Sequence, residues 1–265
     1  MKQNRTMLPI AVVIFSLLGV MVFAGGSRGE VEGTEEPELK TITVAFTNSP
    51  LTLDPFNHRH RNTQFLLRNM IDAIQTSSYD GRMINELAES ITEVESGVYE
   101  IKLHKDVTFH NGDPLTADDV IFSMKRISTV GAMEGETSPR LPLTGELDFV
   151  EKINDYTLRV KYKKPLRRST WYHTEILPQK YFQEVGLEGF LKHPIGCGPF
   201  KWVEGDLYSY VVLERNEHYW GGAKEFLEGV ELERIPVLDR VIFRFVQGRI
   251  ESPGNWRLGS WRFPT

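Results

Sequence analysis

Cysteine is almost absent. Of 265 residues only Cys197 carries a thiol, so no disulfide can form within the chain. Catalytic signatures are missing as well: there is no H-E-x-x-H pair, no G-x-S-x-G elbow and no glycine-rich phosphate loop. Nor is there a basic excess. Lys and Arg number 31 against 36 Asp and Glu, a formal net charge of −5, and that sign argues against nucleic acid as a partner. No internal repeat is visible. The apolar and charged fractions, 40% and 25%, are those of an ordinary globular protein, enough for one large domain or two small ones.

The one long apolar run lies at the amino terminus. Lys2 and Arg5 form a positive start, Leu8 to Phe23 is apolar except for Pro9, Ser16 and Gly19, and Val22-Phe23-Ala24 precedes Gly25. This reads as an export signal, residues 1–24, cleaved after Ala24. The alternative is an uncleaved anchor, because the run approaches the minimum spanning length. Residues 25–40 are rich in Gly and Glu and read as a flexible tether.

Periodicity sets the expected elements. Ile42, Val44 and Phe46 alternate in a strand over Thr41–Phe46. Phe65, Leu66, Met70 and Ile74 make a stripe on a helix over Thr63–Ile74. Tyr79-Asp80-Gly81 is a turn, and Ser96-Gly97 joins a hairpin whose second strand is Tyr99–Leu103. The densest stretch is Tyr99 to Ile127. Its strand runs into the turn pair Asn111-Gly112, and Thr116 and Asp119 then form a capping box. Val120, Ile121, Met124 and Ile127 follow at helical spacing. Residues 131–146 read as a surface loop. Asp148–Ile153 and Thr157–Tyr162 pair as strands around Asn154-Asp155, Lys180–Val185 is a short helix, and Tyr208–Leu213 and Val241–Val246 are further strands. The mixture predicts α+β or mixed α/β layers.

Few residues invite chemistry. His58-Arg59-His60, His104 and His110 are the metal candidates. His58 and His60 would face opposite sides of a strand, and exposed loop histidines are the simpler reading, with His110 supporting its turn. Asp118-Asp119 resembles an acid/base pair, but helix capping and dipole complementarity account for it. Cys197 has no histidine partner nearby in sequence, which makes it structural. No catalytic residue, metal site or cofactor is expected.

The stretch F-H-N-G-D-P-L-T-A-D-D-V-I-F-S, Phe109 to Ser123, resembles the signature of family 5 extracellular solute-binding proteins, the oligopeptide- and dipeptide-binding subunits of ATP-binding cassette importers. Pro194-Ile195-Gly196-Cys197-Gly198-Pro199-Phe200, Leu213-Glu214-Arg215-Asn216 and Tyr219-Trp220-Gly221-Gly222 agree in order and distance, and Leu53-Asp54-Pro55 agrees more weakly. The resemblance spans Leu39 to Val246. It implies a periplasmic-binding-protein type II-like fold, here an N-terminal portion over 41–246: parts of one lobe plus an inserted smaller subdomain, with the distal lobe missing. Residues 247–265 change character and read as an atypical tail, either the out-of-frame end of a truncated product or a divergent terminus. Many lipid-anchored relatives carry a cysteine just after the signal, and this chain does not. A soluble periplasmic protein is therefore expected.

The resemblance further implies capture of a peptide or similar small solute, by hinge closure of two lobes, for delivery to the membrane permease and ATPase subunits of the importer. Oligosaccharide, nickel or haem are alternative cargoes of the same scaffold. A non-functional fragment and a secreted hydrolase are competing readings, and the missing nucleophile–base pair argues against the second. In the resembling proteins the loop after the first strand borders the cleft, which points to Asn48, Ser49, Asp54 and Asn57 as ligand-side residues. Asp54-Pro55 is equally readable as a plain turn. Trp171 and Tyr172 would line the cleft or pack in the core. With one wall of the cleft, the expectation is weak or absent peptide binding.

Overall fold

The computed structural model describes residues 39–78, 80–167, 169–221 and 238–245. The expected signal, nearly all of the tether and the atypical tail lie outside the described residues. Among those described, the order is β1 (Thr41–Phe46), α1 (Arg61–Leu67), β2 (Gln75–Ser77), β3 (Met83–Asn85), β4 (Ala88–Glu95), β5 (Val98–Leu103), α2 (Ala117–Ser128), α3 (Leu141–Thr144), β6 (Leu147–Asn154) and β7 (Thr157–Tyr162). A 3-10 turn at Trp171–His173 follows, then α4 (Gln179–Lys192), β8 (Phe200–Asp206), β9 (Tyr210–Arg215) and β10 (Arg240–Phe245).

Two four-stranded sheets carry the fold. The first has the order β1-β10-β9-β8 and the second β4-β5-β7-β6. In the first, β1 pairs in parallel with β10, Val44 opposite Phe243 and Phe46 opposite Phe245. The strands β8, β9 and β10 run antiparallel. The second sheet is wholly antiparallel, and in sequence its strands fall between β1 and β8. The first pair of strands is therefore closed by residues some two hundred positions apart, while the second sheet is built from neighbours.

Strand alternation decides which face is covered. In β7, Leu158, Val160 and Tyr162 are buried, and in β10, Val241, Phe243 and Phe245. Each sheet owns a core. Ile101, Leu103, Leu158, Val160 and Trp171 pack with Val120 and Met124 in one. Val211, Leu213, Val241, Phe243 and Phe245 pack with Leu66, Met70, Phe190 and Ile127 in the other. Helix α2 thus lies between the two cores, with Val120 and Met124 in one and Phe122 and Ile127 in the other.

The start of α2 bears out its sequence signal. Asp119 accepts from the Thr116 amide at 2.9 Å and from the Thr116 hydroxyl at 3.0 Å, and the reciprocal capping box is complete. Asp119 also accepts from the Gln179 amide at 2.9 Å. One carboxylate therefore fixes the first turns of both α2 and α4.

Three expectations need correction, and strand β8 is an addition to them. The helix predicted over Thr63–Ile74 ends at Leu67; Met70, Ile71 and Ile74 are buried from irregular backbone, and Phe65 is 52% exposed. Strand β8 carries no clean alternation and was not anticipated. The short helix at Lys180–Val185 continues past a break at Gly186, whose φ of 68° interrupts it, to Lys192. The supposed surface loop 131–146 is pinned inward: Ser138, Arg140 and Thr144 are buried. Ser138 Oγ donates to the Phe56 carbonyl at 2.6 Å, and Arg126 pairs with Asp54 at 2.9 Å. Its tip, Glu134 to Thr137, stays exposed as a surface loop would.

Gly196 and Gly198 show why glycine flanks Cys197. A Cβ on Gly196 would lie 2.1 Å from the Met70 carbonyl oxygen, and one on Gly198 2.6 Å from the Met70 carbonyl carbon. The Gly198 amide donates to that carbonyl at 2.8 Å. His110 ties the same segment down: the Gly196 amide donates to its Nδ1 at 3.2 Å, and its Nε2 reaches the Gly198 carbonyl at 3.1 Å.

Candidate functional site

Helix α1 begins at Arg61, directly after a run of alternating imidazole and guanidinium groups. His58, Arg59, His60, Arg61, Gln64 and Phe65 form one side of a cavity of about 360 Å³, and Arg140, Leu143, Tyr172 and His173 form the other. The 3-10 turn at Trp171–His173 delivers Tyr172 and His173, while α3 delivers Leu143. The lining holds no carboxylate.

Under the cavity lies a buried ion pair. Arg140 and Glu175 are 1% and 0% exposed and stand 3.0 Å apart. Arg140 also donates to the Pro55 carbonyl and to His173 Nδ1 at 3.0 Å, and Gln64 donates to Glu175. Burial acts to raise the Glu175 carboxyl, but Arg140 and Arg68 outweigh it and hold it below the usual range. Burial, with Arg140 beside them, holds both His58 and His173 down to about 4. Both are neutral at neutral pH. A guanidinium has no acceptor, so His173 accepts at Nδ1 and carries its proton on Nε2. The His60 amide points at His58 Nδ1 at 3.3 Å, which places the His58 proton on Nε2 too.

A second polar cluster sits behind the first. Arg68 pairs with Glu86 at 2.7 Å and stacks over Tyr172 at 5.6 Å. Trp220 Nε1 donates to Asp72 at 3.0 Å. Burial and the neighbouring Glu86 push the Asp72 carboxyl well up, and burial raises the Cys197 thiol. This thiol is fully buried and sits beside carboxylates, the opposite of an activated nucleophile. No group of three or more metal-ligating side chains occurs among the described residues.

Of the six ligand-side residues expected from sequence, Tyr172 alone lines this cavity. Asp54 is a correction: it is buried, paired with Arg126, and accepts from the Phe56 amide at 2.9 Å, so the carboxylate is consumed inside the fold. Trp171 is another. It packs in the core, edge-on to Tyr162 at 5.6 Å and Tyr99 at 6.1 Å. Asn48 is exposed and its carbonyl accepts from Asn62 at 3.2 Å. Asn57 is exposed, with its amide on the Asp54 carbonyl. Ser49 keeps a buried hydroxyl that has no partner among the described residues. The reading of His58 and His60 as exposed loop histidines also fails: His58 is 3% exposed. The signal was present in H-R-H-R, four basic or imidazole residues without a carboxylate, but its surroundings come from residues eighty or more positions away.

The family model for bacterial extracellular solute-binding proteins, family 5 Middle, matches residues 82–252. The chain belongs to that family. It is 32% identical over 268 residues to the oligopeptide-binding protein AppA of Bacillus subtilis, covering 94% of this chain and 48% of that protein. It is 25% identical over 211 residues to the glutathione-binding protein GsiB of Pectobacterium atrosepticum, covering 76% and 38%. The solved structure of Bacillus subtilis AppA with a nonapeptide superposes with a TM-score of 0.65 at 27% identity, covering 79% of this chain and 41% of that one. The mixed α/β, type II periplasmic-binding-protein fold expected from the resemblance is therefore the fold observed. The chain spans about half the length of the curated relatives it matches. No helix among the described residues is long and apolar enough to cross a membrane.

Proposed function

We propose that this chain is an extracytoplasmic solute-binding component of an ATP-binding cassette importer and that its solutes are peptides. The reading rests on one observation: a family 5 scaffold presents a cavity of about 360 Å³ beside the loop that follows its first strand. AppA, named for oligopeptides, is among the similar relatives, which favours peptides over the other cargoes. The relatives are named as binding proteins, and the cavity holds no nucleophile–base pair, which supports a role without catalysis. Export by residues 1–24 to the periplasm, and delivery to permease and ATPase subunits, complete the proposal. His58, Arg59, His60, Arg61, Tyr172 and His173 are the ligand-side residues it assigns.

On this open face much of a ligand stays in water, so the affinity of the described residues alone is on the order of millimolar. Nitrogen–proton spectra of the chain, titrated with tripeptides to pentapeptides at millimolar concentration, test the reading. The expected result is saturable shifts at His60, Arg61, Gln64 and Tyr172. Titrations that move none of these would refute it.

A further inference from the structure

We propose that this cavity is the subsite for a carboxylate of the bound solute. The inference rests on the reading of the cavity as the solute-binding wall and adds the chemical class of the group it takes. Three observations on separate residues converge. His58 is 97% withdrawn from solvent by its 3% exposure, lines the cavity, and has an Nε2 atom with no hydrogen-bond partner among the described residues. Its Nδ1 already faces the His60 amide, so the unpaired atom is a donor. A buried donor left unpaired is unfavourable, a cost that a ligand oxygen placed there removes.

The second observation is the His173 tautomer. Arg140 donates to Nδ1 at 3.0 Å, which leaves Nε2–H as the donor on a second residue of the same lining. Because Arg140 is itself matched by Glu175, the guanidinium fixes the tautomer without leaving a free charge at the base. The third is the rim. Arg59 and Arg61 are exposed, line the cavity, and have no ion-pair partner among the described residues. Two unmatched guanidiniums outside and two imidazole N–H donors inside suit an anion with several acceptor atoms. They do not suit an ammonium group, for which the lining offers no carboxylate.

A carboxylate reaches such a wall from a peptide's carboxyl terminus or from an Asp or Glu side chain. Three probes separate the sources: trialanine with a free carboxyl terminus, its carboxamide, and the carboxamide of Ala-Glu-Ala. Titrations follow the imidazole carbon–proton signals of the chain. The expected result is that trialanine, Ala-Glu-Ala carboxamide or both shift the His58 and His173 signals, while trialanine carboxamide does not. The first alone assigns the terminus, the second alone the side chain. The Arg59→Gln/Arg61→Gln variant, altered only at exposed positions, should weaken the response roughly fivefold while its fold is unchanged. If the trialanine carboxamide binds as well as the acid, the carboxylate assignment is overturned and the peptide-binding reading stands. If no probe shifts the His58 and His173 signals, the carboxylate assignment falls, and if His60, Arg61, Gln64 and Tyr172 are unmoved too, the peptide-binding reading falls with it.

Discussion

At the scale of single residues, the buried Arg140 does most to decide the shape of the site. Arg140 holds the Pro55 carbonyl, Glu175 and His173 at once, and so joins the loop after β1 to the segment that carries Tyr172. Removing one member of a buried pair leaves an uncompensated charge in low dielectric. Arg140→Met should therefore cost about 3–5 kcal/mol in urea denaturation, and Arg140→Met combined with Glu175→Leu should recover most of it. If the double variant is as unstable as the single, the pair is not the dominant interaction of Arg140. Gly196 gives a second test at this scale. Its missing Cβ is replaced by the Met70 backbone at 2.1 Å, and backbone cannot rotate away as a side chain can. Gly196→Ala should lower stability by about 3 kcal/mol or more, whereas an alanine at Gly112, with open space around it but a φ of 86°, should cost only the backbone strain, about 1 kcal/mol. Thermal unfolding of the two variants checks the order.

At the scale of elements, Asp119 carries more than the box it belongs to. Thr116→Ala should destabilise by about 0.5–2 kcal/mol through loss of the cap. Asp119→Ala removes its side of the box and also strips the acceptor from the half-buried Gln179 amide, adding about 1 kcal/mol. Sequence alone ranks these two the other way, because α4 enters the account only through the fold; denaturation midpoints decide between the rankings. The same contrast runs through the chain. Local signals were legible: the hairpin at Ser96-Gly97, the turn at Asn111-Gly112, the box at Thr116, and the alternation in β5, β7 and β10 all lie within a few residues of their cause. What depended on distant partners was not. Helix α1 stops at Leu67 although its apolar stripe continues, since Met70 and Ile71 are buried by tertiary contacts instead. Residues 131–146 read as a solvated loop because the partners of Ser138 and Arg140, Phe56 and Pro55, lie some eighty positions away. The family and its fold could be read from Phe109–Ser123 and Pro194–Phe200. The cavity could not, since its two sides are about eighty and more than one hundred residues apart.

At the scale of the whole molecule, buried titratable groups set how stability follows pH. His58, His110 and His173 are each held down to about 4 from 6.5, by burial first. Between those values the unfolded chain binds protons at these three sites and the folded chain does not. Stability contributed by the three is thus present above pH 6.5 and is lost as pH falls towards 4. Two carboxylates act the other way. Burial raises Asp72 and Asp119, so the folded state binds protons there that the unfolded state, with ordinary aspartates, releases. Three histidines, with Glu175 held low on their side, outnumber the two raised carboxylates and leave a net proton uptake on unfolding near pH 5, and each proton is worth about 1.4 kcal/mol per pH unit. Stability should accordingly decline from pH 6.5 to 4, with a shallower slope than three free histidines would give. Above neutrality the histidine contribution is constant, and the raised carboxyls lower stability with rising pH for as long as they stay protonated in the fold. Urea midpoints measured at half-unit intervals, with proton uptake followed in weakly buffered solution, test both limbs. A profile that is flat from pH 6.5 to 4 would mean that these histidines are protonated at little cost in the folded state.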